Sequence, residues 1–121
     1  MPKAASDIRV KRVYDPPDAE DGSRVLVDRL WPRGARKDEV KLALWLKEIA
    51  PSDELRRWFG HDPARFAEFS RRYRAELGAN KEAVSQVRDL VRAGPVTLLY
   101  AAHDEEHNNA RVLADYLEAH A

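Results

Sequence analysis

A short polar segment late in the chain holds the residues best suited to chemistry. Carboxylates and histidines can transfer protons near neutral pH, and side-chain amides can orient a substrate because they both donate and accept hydrogen bonds. We predict Asp104 and His107 as acid–base residues and Asn108 as the residue that orients a substrate. The further ligand-binding candidates in this segment are His103 and Asn109.

The sequence on either side of this segment indicates how it is positioned. An apolar run from Val96 to Ala101 predicts a buried strand, and an amphipathic stretch from about Glu105 to Ala119 predicts a helix. In α/β proteins, the loop between the carboxyl end of a strand and a helix N-terminus commonly binds ligands. The alternative, which the residues leave open, is that Asp104 and Glu105 only cap the helix.

A second polar loop follows another apolar run. The segment from Arg24 to Asp28 predicts a strand, and residues 29–37 form a loop because Pro32 and Gly34 disfavour a helix. Trp31 in this loop is predicted either to stack on a ligand ring or simply to pack against the protein. The basic side chains around it are Arg29, Arg33, Arg36 and Lys37.

The two loops would lie together if their strands run in parallel, because parallel strands then end at the same edge of the sheet. Guanidinium groups and the free N–H groups of a helix start both favour a phosphate or a carboxylate. We therefore predict an anion-binding or phosphate-binding site between residues 28–37 and 102–109, with Arg29, Trp31 and Arg33 among its ligand-binding residues. Such a site would suit an enzyme, or a binding protein, that takes a small phosphorylated or nucleotide-like molecule.

The sequence supports no metal site and identifies no cofactor. The run from His103 to His107 differs from the His-Glu-x-x-His zinc motif, because aspartate stands at its second position and His103 precedes the predicted helix. The chain has no cysteine, which removes thiolate ligands and cysteine nucleophiles. The sequence also lacks a Walker loop, a dinucleotide-binding glycine motif and a serine-hydrolase motif.

Composition limits the remaining functions. The 121 residues include 21 basic and 21 acidic side chains, so bulk charge does not favour binding to nucleic acid or to a membrane. A nucleic-acid-associated or regulatory module that uses the basic loop is the alternative function. No apolar run approaches the roughly 20 residues of a membrane span, and with the lack of cysteine this predicts a cytoplasmic protein. The sequence does not determine the oligomeric state.

The order of the predicted elements indicates the fold class. Helices that separate apolar strands favour an α/β fold, here a single compact domain over residues 8–121 with a small parallel or mixed sheet flanked by helices. Residues 1–7 are polar and are predicted to form a mobile tail. The predicted strands are 8–13, 24–28 and 96–101, and the predicted helices are 52–59, 63–77, 81–93 and 105–119. Residues 40–49 fit either a strand or a helix, and we favour a short strand or extended segment at 43–46.

Six segments carry a family resemblance: Arg24–Gly34, Trp45–Ser52, Trp58–His61, Phe69–Tyr73, Thr97–Asp104 and His107–Ala110. Each is weak alone, but together they resemble the YeaO-like proteins, the family also called domain of unknown function 488. The resemblance covers nearly the whole chain from Ile8 and implies a single α/β domain, without implying an activity. Longer relatives in the wider family carry a Cys-His-Arg run about where His107, Asn108 and Asn109 stand here. This sequence has no cysteine at that position, and this departure from the relatives argues against a sulfur-transfer or thiol mechanism there.

Overall fold

In residues 8–119, which are those that the computed structural model describes, four short strands form one parallel sheet. The strands are β1 (Ile8–Arg12), β2 (Ser23–Leu26), β3 (Leu44–Trp45) and β4 (Val96–Tyr100), and they lie in the order β1-β4-β2-β3. β4 pairs with β1 on one side and with β2 on the other, which buries every residue of the strand. The nearly continuous apolar sequence of β4 predicts this central position.

Helices flank the sheet, and three of them connect β3 to β4. The predicted α/β fold, a single compact domain with a small sheet flanked by helices, is confirmed in its all-parallel form. The predicted tail of residues 1–7 lies outside the described residues. Within those residues the helices are α1 (Lys37–Val40), α2 (Asp53–Phe59), α3 (Phe66–Ala79), α4 (Lys81–Ala93) and α5 (Asn109–Ala119).

Most element boundaries differ from the predicted ones by a few residues, and three of these differences concern the basic loop, the end of α3 and the last helix. The basic loop was predicted to be irregular up to Lys37, but α1 begins there and forms a single helical turn. Gly78 was predicted to end α3, but it takes no positive φ, and the helix continues to Ala79. The last helix was predicted from about Glu105 but begins at Asn109. The residues before it form a separate turn, in which the Asp104 carboxylate accepts two backbone N–H groups.

The sheet buries side chains on both faces. On one face, Val25, Leu98 and Tyr100 belong to the large core that includes residues of α2, α3, α4 and α5. On the other face, Leu26 and Leu99 pack with residues from the connection between β2 and β3. This connection contains the basic loop, so packing on the second face of the sheet fixes the path of that loop past the strand ends.

Candidate functional site

A cleft of about 560 Å³ lies at the carboxyl ends of β2 and β4. Its volume falls within the range of about 300–1,000 Å³ that is usual for small-molecule sites. Both predicted loops line it, together with parts of α2 and α3 and the segment before α2. The lining residues are 28–33, 50–51, Arg56, Phe59, His61, Phe69, 101–104 and 108–109.

Most of the predicted site residues line this cleft, and three basic or catalytic candidates do not. Those that line it are Arg29, Trp31, Arg33, His103, Asp104, Asn108 and Asn109. His107 instead places its ring edge-on against Phe66, with the ring centroids 5.0 Å apart. Arg36 pairs with Asp38 and Glu39 on the surface, and Lys37 begins α1, so neither belongs to the cleft wall.

Asp28 connects three elements at the inner end of the cleft. One carboxylate oxygen accepts the Ala101 N–H at 3.0 Å, and the other accepts the Asn109 amide at 3.2 Å. The same amide nitrogen donates to the Val27 carbonyl at 3.0 Å, so the ends of β2 and β4 and the start of α5 meet here. Burial raises the pKa of Asp28 above its ordinary value, and these hydrogen bonds only partly offset that effect.

Asp104 organises the turn that precedes α5. One of its carboxylate oxygens accepts the N–H groups of Glu106 and His107 at 2.9 and 3.0 Å. The other lies 2.9 Å from Nδ1 of His107. The pKa of Asp104 is therefore lowered, first by the Glu106 N–H and then by the His107 side chain. An ionised carboxylate at this point also favours the start of α5.

Asn108 is the N-cap of α5 and is 2% exposed. Its side-chain oxygen accepts the Arg111 N–H at 3.0 Å, while its amide nitrogen donates to the Asp104 carbonyl at 3.0 Å. Both ends of the amide are thus engaged inside the protein. The cap explains why the helix begins at Asn109, since the N-cap oxygen supplies an acceptor for one of the free N–H groups of the first turn.

The arginines of the basic loop differ in their surroundings. Arg29 donates to the Ala50 carbonyl at 3.3 Å, and its Nε lies 3.7 Å from a carboxylate oxygen of Asp53. Arg33 is exposed, and in the described part of the chain its guanidinium has no carboxylate partner. Its carbonyl accepts the Tyr14 hydroxyl at 2.7 Å, which fixes the backbone of the loop at this residue. Arg33 is therefore positioned by its main chain and keeps its charge available.

Trp31 is partly buried and contributes to both the core and the cleft. Its indole N–H donates to the Ala35 carbonyl at 2.9 Å, and its ring meets Trp45 edge-on at 5.3 Å between centroids. The indole of Trp45 donates in turn to the Asp28 carbonyl at 2.8 Å. Packing accounts for most of the Trp31 ring, and the remaining part lines the cleft.

Sequence reasoning missed the residues that α2, α3 and the turn after α2 contribute. Phe59 and Phe69 are buried and stacked at 4.2 Å, and they form an apolar wall. Arg56 and His61 add two basic side chains, and His61 has φ of +57°, which is uncommon for a residue other than glycine. The helical spacing of the aromatic residues predicts a core face, and it carries no signal that the same face reaches a cleft.

Two further findings bear on function. Among residues 8–119, no group of three His, Cys, Asp or Glu side chains is arranged to hold a metal ion. No helix in the same range combines the length and apolarity needed to cross a bilayer.

Comparison with known proteins identifies the family. A family model described as the inactive DUF488-N3 subclade matches residues 7–121. The chain is 45% identical to the uncharacterized protein YeaO of Escherichia coli K12 over 113 residues, which is 93% of this chain and 98% of YeaO. It is 46% identical over 110 residues to the uncharacterized proteins Rv3073c of Mycobacterium tuberculosis and Mb3100c of Mycobacterium bovis, covering 91% of this chain and 92% of each relative. No solved structure gives a significant match. The chain therefore belongs to the YeaO-like DUF488 family.

Proposed function

We propose that this protein binds a small phosphate-bearing anion in the cleft between residues 28–37 and 102–109. The observation that carries the proposal is Arg33, an exposed cleft residue whose guanidinium has no carboxylate partner within residues 8–119. Guanidinium groups suit phosphate because they donate parallel hydrogen bonds to two of its oxygens.

Other basic side chains around the cleft support the same ligand. Arg29 and Arg56 line the cleft, and both share the carboxylate of Asp53, so their charge is only partly neutralised. His61 and His103 are exposed cleft residues whose ring N–H groups can donate hydrogen bonds to a phosphate. Exposed charges around a low-dielectric cleft attract an anion, and that attraction weakens as salt increases.

A binding role has more support than a covalent catalytic role. The matching family model is described as an inactive subclade, and the chain contains no cysteine nucleophile. The second candidate function is acid–base catalysis on the same ligand, which the 2.9 Å contact between Asp104 and His107 favours. In that case Asp104 would face the ligand, because it lines the cleft while His107 does not.

The alternative of a nucleic-acid-associated module has less support. It would use Arg36 and Lys37 together with the rest of the basic loop, yet Arg36 is paired with acidic neighbours and neither residue lines the cleft. Binding to phosphates along a nucleic acid would weaken steeply with salt, whereas a site for one small anion would depend on salt only modestly.

The experiment is calorimetric titration of the protein with inorganic phosphate, pyrophosphate and a set of nucleoside 5′-monophosphates. Arg33→Ala should weaken binding of the tightest ligand by roughly tenfold, since it removes a charge-assisted hydrogen bond. Its free energy of unfolding should stay within about 0.5 kcal/mol of the parent, because the side chain is exposed. Arg74→Ala removes another exposed arginine, one outside the cleft, and should bind as the parent does.

The outcomes separate the candidate functions. Absence of binding to every phosphate compound, or equal loss in Arg33→Ala and Arg74→Ala, would contradict the proposal. Phosphorus NMR of the bound nucleotides over time tests catalysis, because a new phosphorus signal would support acid–base chemistry and an unchanged spectrum would support binding alone. A short oligonucleotide that binds more tightly than any mononucleotide would favour the nucleic-acid alternative.

A further inference from the structure

The inner end of the cleft presents hydrogen-bond acceptors, whereas its exposed rim carries two arginines and two histidines. Arg33, Arg56, His61 and His103 are all exposed cleft residues. Asp28 is partly buried at the ends of the two central strands. Each of its carboxylate oxygens already accepts one hydrogen bond, and such an oxygen can accept two. Asp28 therefore keeps acceptor capacity that residues 8–119 do not use.

Asn109 adds a second acceptor beside Asp28. Its amide nitrogen donates to the Val27 carbonyl at 3.0 Å and to the Asp28 carboxylate at 3.2 Å. These two acceptors fix which end of the amide is nitrogen, a choice that the side-chain shape alone leaves ambiguous. The amide oxygen then points away from both acceptors, and it accepts no hydrogen bond from the residues that the structure describes. Because Asn109 lines the cleft, that oxygen is available to a ligand.

The walls between the rim and the inner end are largely apolar. Phe59 and Phe69 are stacked on one side, and Pro51 and the 61% exposed Leu30 also line the cleft. A cleft of about 560 Å³ has far more room than a phosphate group needs. Apolar walls of this kind favour a flat organic group, which buries area without requiring polar partners.

We infer that the ligand is bipolar: a ring-bearing phosphate ester whose other end carries N–H or O–H donors, which Asp28 and Asn109 accept. This inference rests on the proposed function, because it takes the phosphate to lie among the basic side chains of the rim. Phosphate alone would leave the acceptors at the inner end without a donor. Burial raises the pKa of Asp28, so its carboxylate is short of compensating donors in the free protein, and a ligand donor would supply one.

The test begins with the unmodified protein and varies the ligand. The probes are inorganic phosphate, ribose 5-phosphate, the four common ribonucleoside 5′-monophosphates, and the nucleosides without phosphate. The tightest nucleotide should bind at least about tenfold more tightly than inorganic phosphate, because its ring and its donors make additional contacts. Two analogues of that nucleotide are compared with it, one without the ribose hydroxyls and one without the hydrogen-bond donor of the base. At least one of them should bind about tenfold more weakly than the complete nucleotide.

A protein variant then assigns the donor contact to Asp28. Asp28→Asn should reduce affinity for the tightest nucleotide by about tenfold without weakening the binding of inorganic phosphate, because phosphate gains nothing from a hydrogen-bond acceptor and is repelled by the carboxylate. The control Asp115→Asn makes the same change at an exposed residue of α5 outside the cleft, and it should bind both ligands as the parent does. Asp28 also holds the strand ends together, so circular dichroism must first establish that Asp28→Asn is folded. If the variant is unfolded, the comparison of ligands on the unmodified protein decides whether a donor contact exists.

The two proposals fail in different ways. If both donor-lacking analogues bind as the complete nucleotide does, or if no nucleotide exceeds inorganic phosphate, the inference is overturned and phosphate binding stands. If the nucleosides bind as tightly as their monophosphates, phosphate contributes nothing and the proposed function fails.

Discussion

Asn108 directs both halves of its amide into the protein, although its position in the polar segment suggested contact with a substrate. The side chain caps α5 through Arg111 and holds the Asp104 carbonyl at the same time. Each end of the amide makes one hydrogen bond inside the protein, and the residue is only 2% exposed, so a substrate has little access to it. At the scale of the residue, the role of Asn108 is therefore to fix the start of α5, and with it the position of Asn109 in the cleft wall.

This role predicts a loss of stability. Asn108→Ala should reduce the free energy of unfolding by about 2 kcal/mol, because it removes the N-cap and leaves buried polar groups without partners. Asn108→Ser keeps a capping oxygen and should recover much of that loss. Urea unfolding of the three proteins measures both changes. An alanine variant as stable as the parent, with weakened ligand binding, would instead indicate direct contact with the ligand.

At the scale of the element, the turn from Asp104 to His107 shows why the start of the last helix was predicted too early. Asp104 and Glu105 are typical of a helix start, and the apolar periodicity gives no sign of a break. The Asp104 carboxylate accepts two backbone N–H groups that a longer helix would also have needed to satisfy. The Asp104 side chain thus holds a turn of its own, and Asn108 supplies the cap from which the helix begins.

The charge of Asp104 makes this turn sensitive to pH. Its pKa in the folded protein is lowered from an ordinary value of 3.8. Its contribution to stability is therefore complete above that value and is lost as the pH falls through the lowered pKa. Asp104→Asn keeps an oxygen for the two N–H groups and removes the titration. The stability advantage of the parent over this variant should be level from about pH 6 to about pH 5 and should shrink as the pH falls from about 4 towards about 2. A constant difference across that range would mean that the charge is not what stabilises the turn.

At the scale of the whole molecule, the sequence predicts those structural features that depend on the local order of apolar and polar residues. The apolar run of β4 and the helical stripe through Phe69 and Tyr73 are local, so the sheet, the helices and the meeting of two polar loops could all be predicted. The position of His61 in the cleft depends on how α2 packs, and the role of Asp28 depends on partners more than 70 residues away in sequence. No periodicity reports contacts at such separations.

A buried ion network lies on the opposite side of the sheet from the large core. It too depends on tertiary contacts that no local sequence pattern predicts. Asp21 is 1% exposed and accepts from Arg24 at 2.7 Å and from Lys11 at 3.0 Å, which joins β1 and β2. Its backbone carbonyl accepts the Thr97 hydroxyl of β4 at 2.8 Å, and Arg24 donates to the Val40 carbonyl at the end of α1. Burial alone would raise the pKa of Asp21, but these cations outweigh it and lower the pKa. Asp21 and Arg24 together thus connect three strands and a helix.

The last prediction tests that connection. Asp21→Ala should destabilise the protein by about 3–5 kcal/mol, because it leaves the 4% exposed Arg24 as a buried charge without a counterion. The neighbouring Glu20 pairs with Arg9 at 3.2 Å on the surface, so Glu20→Ala should change the free energy of unfolding by less than about 1 kcal/mol. Adding Arg24→Met to Asp21→Ala should recover a large part of the loss, since it removes the unpaired charge. If Asp21→Ala costs no more than Glu20→Ala, the network does not hold the strands together, and the apolar packing of the sheet is sufficient.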